Sequence, residues 1–309
     1  MKKAQWTGVF PAITTPFTSD LSVDHEFIER HVSWLVDHGC TGIVALGSLG
    51  ESATLHMDEK VAILESCVRG VGDRVPVVAG IAGLATRECV TLAQRAADAG
   101  CEGLMVLPPY VHKGPWREIR THFSAIIDAT ELSCMLYNNP IAYGTDVTPD
   151  QLEELVSHEN LHATKESGGD VRRVTAVVAQ LGDRLNVFAG LDDMIVESIA
   201  MGAKGWIAGL VNALPAESVE LVRLAAAGDI AGAREIYDWF LPLLRLDTLP
   251  DFVQQIKFVQ SELGCGNARV RPPRLELDDI TATATRNLLR DALRSRPAAE
   301  SRPMAVAAV

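Results

Sequence analysis

Short apolar runs alternate along this chain with longer stretches whose apolar positions recur at helical spacing. The alternation repeats about every 25 to 30 residues, the signature of strand followed by amphipathic helix. The runs predict strands over Val9 to Thr14, Gly42 to Gly47, Val75 to Ile81, Gly103 to Leu107, Ser133 to Tyr137, Leu161 to Lys165, Leu185 to Gly190 and Gly205 to Gly209. Helices are expected between them, over Glu26 to His38, Asp58 to Val71, Thr86 to Ala99, Pro115 to Ala129, Pro149 to Ser157, Val171 to Leu181, Met194 to Met201 and Pro215 to Ala227. Thr148-Pro149-Asp150-Gln151 marks one helix start, with an N-cap, a proline at the first helical position and a capping-box glutamine.

Eight βα units point to an α/β protein of the (β/α)8 TIM-barrel class. The rival is a doubly wound open sheet. Its dinucleotide-binding version would carry GxGxxG after the first strand, a motif the chain lacks. Further helical patterns over Ala231 to Arg245, Asp251 to Leu263 and Asp279 to Arg294 predict a C-terminal helical extension beside the barrel. The expected organisation is therefore a catalytic barrel over 1–228 and a helical extension over 229–296. A Pro-, Ala- and Ser-rich tail over 297–309 is expected to be disordered.

Composition agrees with a large α/β core. Of 309 residues 48% are apolar and only 6% aromatic, and single barrels reach this length. The net charge of −12, with no basic stripe to neutralise phosphates, argues against nucleic acid as a partner. Six cysteines without CxxC spacing read as reduced, buried thiols of a cytoplasmic protein. Lys2 and Lys3 lead into Gln5, Trp6 and Thr7 rather than an apolar signal core, so no secretion signal is expected. No uninterrupted apolar stretch is long enough to span a membrane.

The chemistry centres on Lys165, one of only seven lysines, which ends the strand-like Leu161-His162-Ala163-Thr164-Lys165. Burial disfavours an ammonium ion and lowers its pKa, which makes the amine a nucleophile able to form a Schiff base. Most lysines are instead solvated at strand edges. In a barrel the active site lies at the carboxyl ends of the strands. There the sequence places Gly47-Ser48-Leu49-Gly50-Glu51 after strand 2, Pro108-Pro109-Tyr110 after strand 4 and Tyr137-Asn138-Asn139-Pro140 after strand 5. Gly190-Leu191-Asp192-Asp193 follows strand 7 and Gly209 ends strand 8. Tyr137 and Lys165 thus belong to neighbouring strands at similar depth, and a phenol beside an imine-forming amine can shuttle protons.

Each residue alone has a plainer reading. Ser48 can cap its turn, and Leu46 stands where a nucleophile elbow needs glycine. Tyr137 can be a core aromatic, and Asp192 and Asp193 can cap the helix that follows. Their conjunction at one face of a barrel favours chemistry. The eight histidines form no HExxH or comparable spacing, and lone His162 reads as structural, so no metal is expected; a protonated lysine imine is itself an electron sink, so no other cofactor is expected either.

These residues resemble the dihydrodipicolinate synthase / N-acetylneuraminate lyase family of class I aldolase-type barrels. The resemblance is carried by Gly47-Ser48-Leu49-Gly50-Glu51, Tyr137-Asn138-Asn139-Pro140 and Lys165-Glu166-Ser167, and it covers nearly the whole chain. It implies Lys165 as the Schiff-base lysine and Tyr137 as the proton-shuttling tyrosine. Ser48 and the Leu49 amide would bind the substrate α-carboxylate. A homo-oligomer, a tetramer built as a dimer of dimers, is the assembly it implies. The synthases carry an arginine five residues after the catalytic tyrosine, where this chain has Ala142, and a second aromatic after strand 4, where it has Val111. Loss of the arginine removes a charge-assisted anchor for a second carboxylate. Neuraminate lyases place serine at Gly209, although Asp192 matches an acidic position they use for sugar hydroxyls.

A closer similarity runs through Trp6-Thr7-Gly8-Val9-Phe10-Pro11-Ala12, Tyr137-Asn138-Asn139-Pro140, Asp146-Val147-Thr148-Pro149-Asp150, Gly190-Leu191-Asp192-Asp193 and Arg271-Pro272-Pro273-Arg274-Leu275. Together these look like the hydroxyproline-degrading branch of the family. That branch deaminates 1-pyrroline-4-hydroxy-2-carboxylate to 2,5-dioxopentanoate (2-oxoglutarate semialdehyde) and ammonia. The partner expected on this reading is a small 2-oxo or imino acid, with Gly190, Tyr143, Asp192 and Gly209 completing the pocket. A 2-keto-3-deoxy acid dehydratase or pyruvate-dependent aldolase would share Lys165 and Tyr137 and is the main alternative. A non-catalytic ligand-binding barrel is the other, but it has no need of a buried reactive amine.

Overall fold

The computed structural model describes residues 1–297; beyond Pro297 the expected tail lies outside them. Eight strands form one parallel sheet: β1 Gly8–Pro11, β2 Ile43–Ala45, β3 Val77–Ile81, β4 Gly103–Val106, β5 Ser133–Asn138, β6 Leu161–Glu166, β7 Asn186–Ala189 and β8 Gly205–Ala208. From β2 to β8 each strand pairs with its sequence neighbour, and β8 pairs with β1. Ala12 bridges Val44, and the Ile13 N–H donates to the Val44 carbonyl at 2.9 Å, which brings β1 back to β2. The sheet is thus a (β/α)8 barrel, as the periodicity predicts, and not a doubly wound sheet. The strands are buried almost throughout because one face meets the barrel interior and the other the helices. Trp6, Phe10 and Phe188 fill the interior below the carboxyl ends, with Phe10 and Phe188 edge to face at 5.4 Å.

The helices are α1 His25–Asp37, α2 Met57–Val71, α3 Thr86–Asp98, α4 Trp116–Ile127, α5 Pro140–Tyr143, α6 Pro149–Glu153, α7 Arg172–Leu181, α8 Ile195–Ala200 and α9 Pro215–Ala226. Most lie within a residue or two of expectation. The short α5 is new, capped by the Asn139 side chain accepting from the Ala142 N–H. Helix α6 starts at the expected capping box, with the Thr148 hydroxyl accepting from the Gln151 N–H at 3.3 Å. It stops four residues before Ser157, where the backbone tightens into successive i→i−3 turns, Leu155 N–H to Leu152, Val156 N–H to Glu153 and His158 N–H to Leu155. The Arg184 guanidinium donates to the carbonyls of Val156 and His158, and the chain there closes in tight turns.

The extension comprises α10 Ile230–Leu244, the turn Arg245–Thr248, α11 Phe252–Glu262 and α12 Asp279–Arg294. One buried ion pair seals it to the barrel. Lys257 of α11 donates from Nζ to Glu51 Oε1 and to the Thr15 carbonyl, both at 2.8 Å, beneath the Phe17 ring. Glu51 Oε2 accepts from the Arg271 N–H at 3.0 Å. Both charged side chains are almost fully buried. Taking ions out of water costs several kcal/mol each, so such a pair holds only while both members remain and their lone pairs are satisfied. Lys257→Met, which strands the Glu51 carboxylate, is expected to lower stability by about 3 kcal/mol in urea titration. Adding Glu51→Gln should recover much of that loss; a further loss in the double variant would contradict a paired role.

Candidate active site

An irregularity in strand pairing brings the two central side chains together. Between β5 and β6 the register moves from Cys134 opposite Leu161 to Met135 opposite Ala163, so His162 is an extra residue on β6. Its Nδ1 meets Ser133 Oγ at 2.7 Å, and the same hydroxyl accepts from Trp6 Nε1. His162 is therefore structural, as expected. Past this bulge Tyr137 stands opposite Lys165. Without it Tyr137 would pair with Thr164, and Lys165 would point to the other face. The Lys165 amine instead lies 4.2 Å from the centroid of the Tyr137 ring.

Lys165 is 6% exposed, and its pKa falls to about 8 because burial penalises the ammonium ion more than Asp247 and Asp192 favour it. Space for the side chain depends on Gly190, where a Cβ would come 2.8 Å from Lys165 Cε and collide with the Ser167 hydroxyl. The two carboxylates are held differently. Asp192 is fully buried and accepts from Trp206 Nε1 at 3.0 Å, from the Gly209 N–H and, at 2.9 Å, from the Leu210 N–H. Burial raises its pKa to about 6 against these donors and Lys165. Asp247 reaches in from the turn after α10. Its Oδ1 is buried without a hydrogen-bond partner, although the residue as a whole is partly exposed. It stands over Gly209, where a Cβ would come within 2.0 Å of Oδ1. Burial, then the Asp192 charge, raise the Asp247 pKa well above the carboxylate range.

On the opposite flank, Tyr137 Oη accepts from Asn139 Nδ2 at 2.9 Å, and the Ser167 hydroxyl lies within reach of the same phenol. Burial raises its pKa and keeps it neutral. Tyr143 on α5 sits edge-on to Tyr137 with centroids 5.8 Å apart, stacks on Tyr110, and hydrogen-bonds Ser48 through its hydroxyl. The Gly47–Glu51 loop that carries Ser48 and buried Leu49 is tied down by the Glu51 clamp and by the Thr15 hydroxyl donating to the Gly50 carbonyl at 2.7 Å. Below the mouth, Asn138 donates to Glu166 at 3.0 Å and accepts from the Val147 N–H, stiffening the β5–β6 ends. Val111 lies outside, 86% exposed and in left-handed backbone (φ 68).

Lys165, Tyr137, Ser48, Leu49, Tyr143, Asp192, Gly190 and Gly209 thus gather at the carboxyl ends of the strands, where the sequence put them. Gly190 and Gly209 give clearance to Lys165 and Asp247, and the Asp192 oxygens are engaged by protein N–H groups. Sequence reasoning missed Asp247. Its only signal is a lone acid closing the apolar Leu241-Pro242-Leu243-Leu244-Arg245-Leu246. Among the described residues no group of three or more His, Cys, Asp or Glu is arranged to hold a metal ion.

A buried lysine paired with a tyrosine at the mouth of a (β/α)8 barrel defines the class I aldolase type of lyase. The chain belongs to the dihydrodipicolinate synthetase family, whose model matches residues 5–292. It is 33% identical over 293 residues to a 4-hydroxy-tetrahydrodipicolinate synthase of Haloarcula marismortui, covering 94% of each chain. A synthase of the same name from Agrobacterium fabrum is 34% identical over 86% of this chain and 91% of its own. Among solved structures, dihydrodipicolinate synthase from Aquifex aeolicus superposes with a TM-score of 0.89 at 31% identity, over 93% of this chain and 98% of that one. Members of the family are class I aldolase-type lyases that act on small molecules. No helix among the described residues is long and apolar enough to cross a membrane.

With its pKa near 8, Lys165 is roughly a tenth neutral at pH 7, against well under a thousandth for an ordinary lysine. Borohydride trapping of a 2-oxo acid on Lys165 should therefore accelerate with pH through a midpoint of about 8. A midpoint near 10 would show that the amine is solvated.

Proposed function

We propose that this enzyme deaminates 1-pyrroline-4-hydroxy-2-carboxylate to 2,5-dioxopentanoate and ammonia. The observation that carries the reading is a mouth pairing Lys165 with Tyr137 while Ala142 stands where the synthases carry an arginine for a second carboxylate; the lysine beside α5, Lys113 next to Gly144, is exposed. At the position where the synthases carry arginine, α5 presents exposed Ala142, whose N–H is spent on Asn139. The nearby Arg173 is engaged by Asp146 at 2.7 Å. Charged groups facing Lys165 from the β7–β8 side are carboxylates, which suits a substrate with one carboxylate and a hydroxyl. The relatives named as synthases share the barrel and the lysine chemistry, and the departures lie in the groups that select substrate.

In this mechanism Ser48 and the Leu49 amide hold the substrate carboxylate. The neutral Lys165 amine adds to C2 of the ring imine. The C2–N bond to the ring nitrogen then breaks, the nitrogen takes a proton from Tyr137, and the imine passes to Lys165. A C3 proton leaves to give an enamine, whose electron pair expels the C4 hydroxyl as water and forms a C3–C4 double bond. Moving a proton from C5 to C3 converts this to a C4–C5 enamine. Protonation at C4 gives a terminal imine, which water hydrolyses to the aldehyde and ammonia. A second water cleaves the C2 imine and frees Lys165. The net reaction consumes one water. Tyr137, buried and neutral, serves as acid and then base at C2.

The test is ammonia release from 1-pyrroline-4-hydroxy-2-carboxylate. Wild type is expected to give ammonia and semialdehyde in equal amounts, Lys165→Ala neither, and Lys165→Arg no borohydride-trapped adduct. Water loss alone from 2-keto-3-deoxy acids, or release of pyruvate, with no ammonia from the pyrroline, would replace this reading with a dehydratase or aldolase.

A further inference from the structure

Two acids face Lys165 from the β7–β8 side, and they are not equivalent. Asp192 is surrounded by N–H groups of Trp206, Gly209 and Leu210, each of which favours its charged form. Asp247 has no such donor at its buried Oδ1. A buried polar atom left unpartnered costs free energy, and such atoms in native proteins mark a ligand, a water or a catalytic role. The backbone makes room for this one. Gly209 is the residue at the end of β8 whose Cβ would occupy the place of the Asp247 carboxyl. The turn Arg245–Thr248 that bears Asp247 packs on the Asp192–Met194 turn, and Arg245 approaches the Asp193 carboxylate at 3.9 Å rather than Asp247.

The charges share out accordingly. One ammonium and two carboxylates in a dry site carry a net negative charge. The proton that relieves it settles on the acid with nothing else to bond. Lys165 lies in the field of both acids, that of Asp247 first, and burial together with the Asp192 charge favours the protonated form of Asp247. Lys165 then has two neutral acids on opposite flanks. Tyr137 comes from β5 and Asp247 from the extension above β8.

We propose that Asp247 is the acid that protonates the departing C4 hydroxyl, and the base that next removes the C5 proton. This rests on the deaminase reading above. As the C4–O bond breaks, the enamine pair moves to C3–C4, and the leaving oxygen takes the Asp247 proton and departs as water. The carboxylate then takes the C5 proton, the C5 electron pair enters the conjugated system, and Asp247 is neutral again. No oxidant, reductant or further reactant is needed. The division of labour gives Tyr137 the nitrogen and C2 chemistry and Asp247 the far end of the substrate.

The test compares wild type and Asp247→Asn, using ammonia release together with the mass of the borohydride-trapped Lys165 adduct in a single turnover. The variant should still form an adduct, because Lys165 and Tyr137 are intact. That adduct should retain the hydroxyl, one water heavier than the dehydrated wild-type adduct, while ammonia release falls about 10²- to 10⁴-fold. Ammonia release within tenfold of wild type would overturn the assignment. So would a slowed variant whose adduct has already lost water, or a variant that forms no adduct. If wild type itself releases no ammonia, the deaminase reading fails and takes this step with it. Normal ammonia from wild type with an unimpaired variant removes only Asp247.

Discussion

The Glu51–Lys257 ion pair is the constraint from which the geometry of the mouth follows. Glu51 sits in left-handed backbone (φ 55) at the end of the loop that carries Ser48 and Leu49, and Lys257 sits on the second helix of the extension. A single buried contact therefore fixes the loop proposed to hold the substrate carboxylate and docks the helices that follow the barrel. A pair of exposed residues would contribute about 1 kcal/mol or less and leave the extension free to shift. A buried pair tolerates no such slack, because any displacement leaves a charge without its partner. Arg271 adds to the same clamp, donating to the Leu21 carbonyl at 2.7 Å and to Glu59, whose pKa it holds down near 2. The turn after α10, between two helices of the extension, packs on the Asp192–Met194 turn and lays Asp247 over Gly209.

The electrostatics of the mouth extend this logic. Desolvation lowers the pKa of Lys165 and raises those of Asp192 and Asp247, so all three move toward neutrality and none can be considered alone. Backbone hydrogen bonding breaks the symmetry. Donors from the Gly209–Leu210 segment converge on Asp192 and none meets Asp247 Oδ1, so the charged form is favoured more at Asp192 than at Asp247. An amine nucleophile and a proton donor can then coexist at neutral pH, a combination that water would level.

The barrel and most of its elements were legible because their signal is periodic and local. Eight apolar runs spaced by amphipathic helices admit few architectures, and Lys165 and Tyr137 fall at the ends of adjacent runs. What escaped depends on contacts remote in sequence. The bulge at His162 is one extra residue in an apolar run, and nothing in the run says that the partner strand skips it. Helix α6 gives way after Glu153 to tight turns whose Val156 and His158 carbonyls are held by Arg184, a contact remote in sequence. Helix α5 is a single turn, shorter than helical periodicity can register, yet it positions Tyr143. Asp247 is the sharpest case. Its sequence context is an ordinary apolar helix end, and only the docking of the extension turns it toward the barrel.

On the proposed reading, the same contrast lets a chain so close to the synthases in fold take a different substrate. The lysine and tyrosine stand on paired strands whose register a slip would abolish, so the imine chemistry belongs to the rigid part of the barrel. The groups that meet the rest of the substrate come from pieces laid over it: α5, which presents Ala142 and Tyr143, and the turn that presents Asp247. These pieces can change without disturbing strand pairing, which is how one barrel supports many reactions. On the proposed reading, α5 has lost a cation that would grip a second carboxylate, and the turn over β8 on the other flank supplies an acid that can lose a proton. A fixed charge there would only bind. An acid without a competing hydrogen bond can donate its proton as a carbon–oxygen bond breaks and take another back, and that is the difference between holding a substrate and dehydrating it.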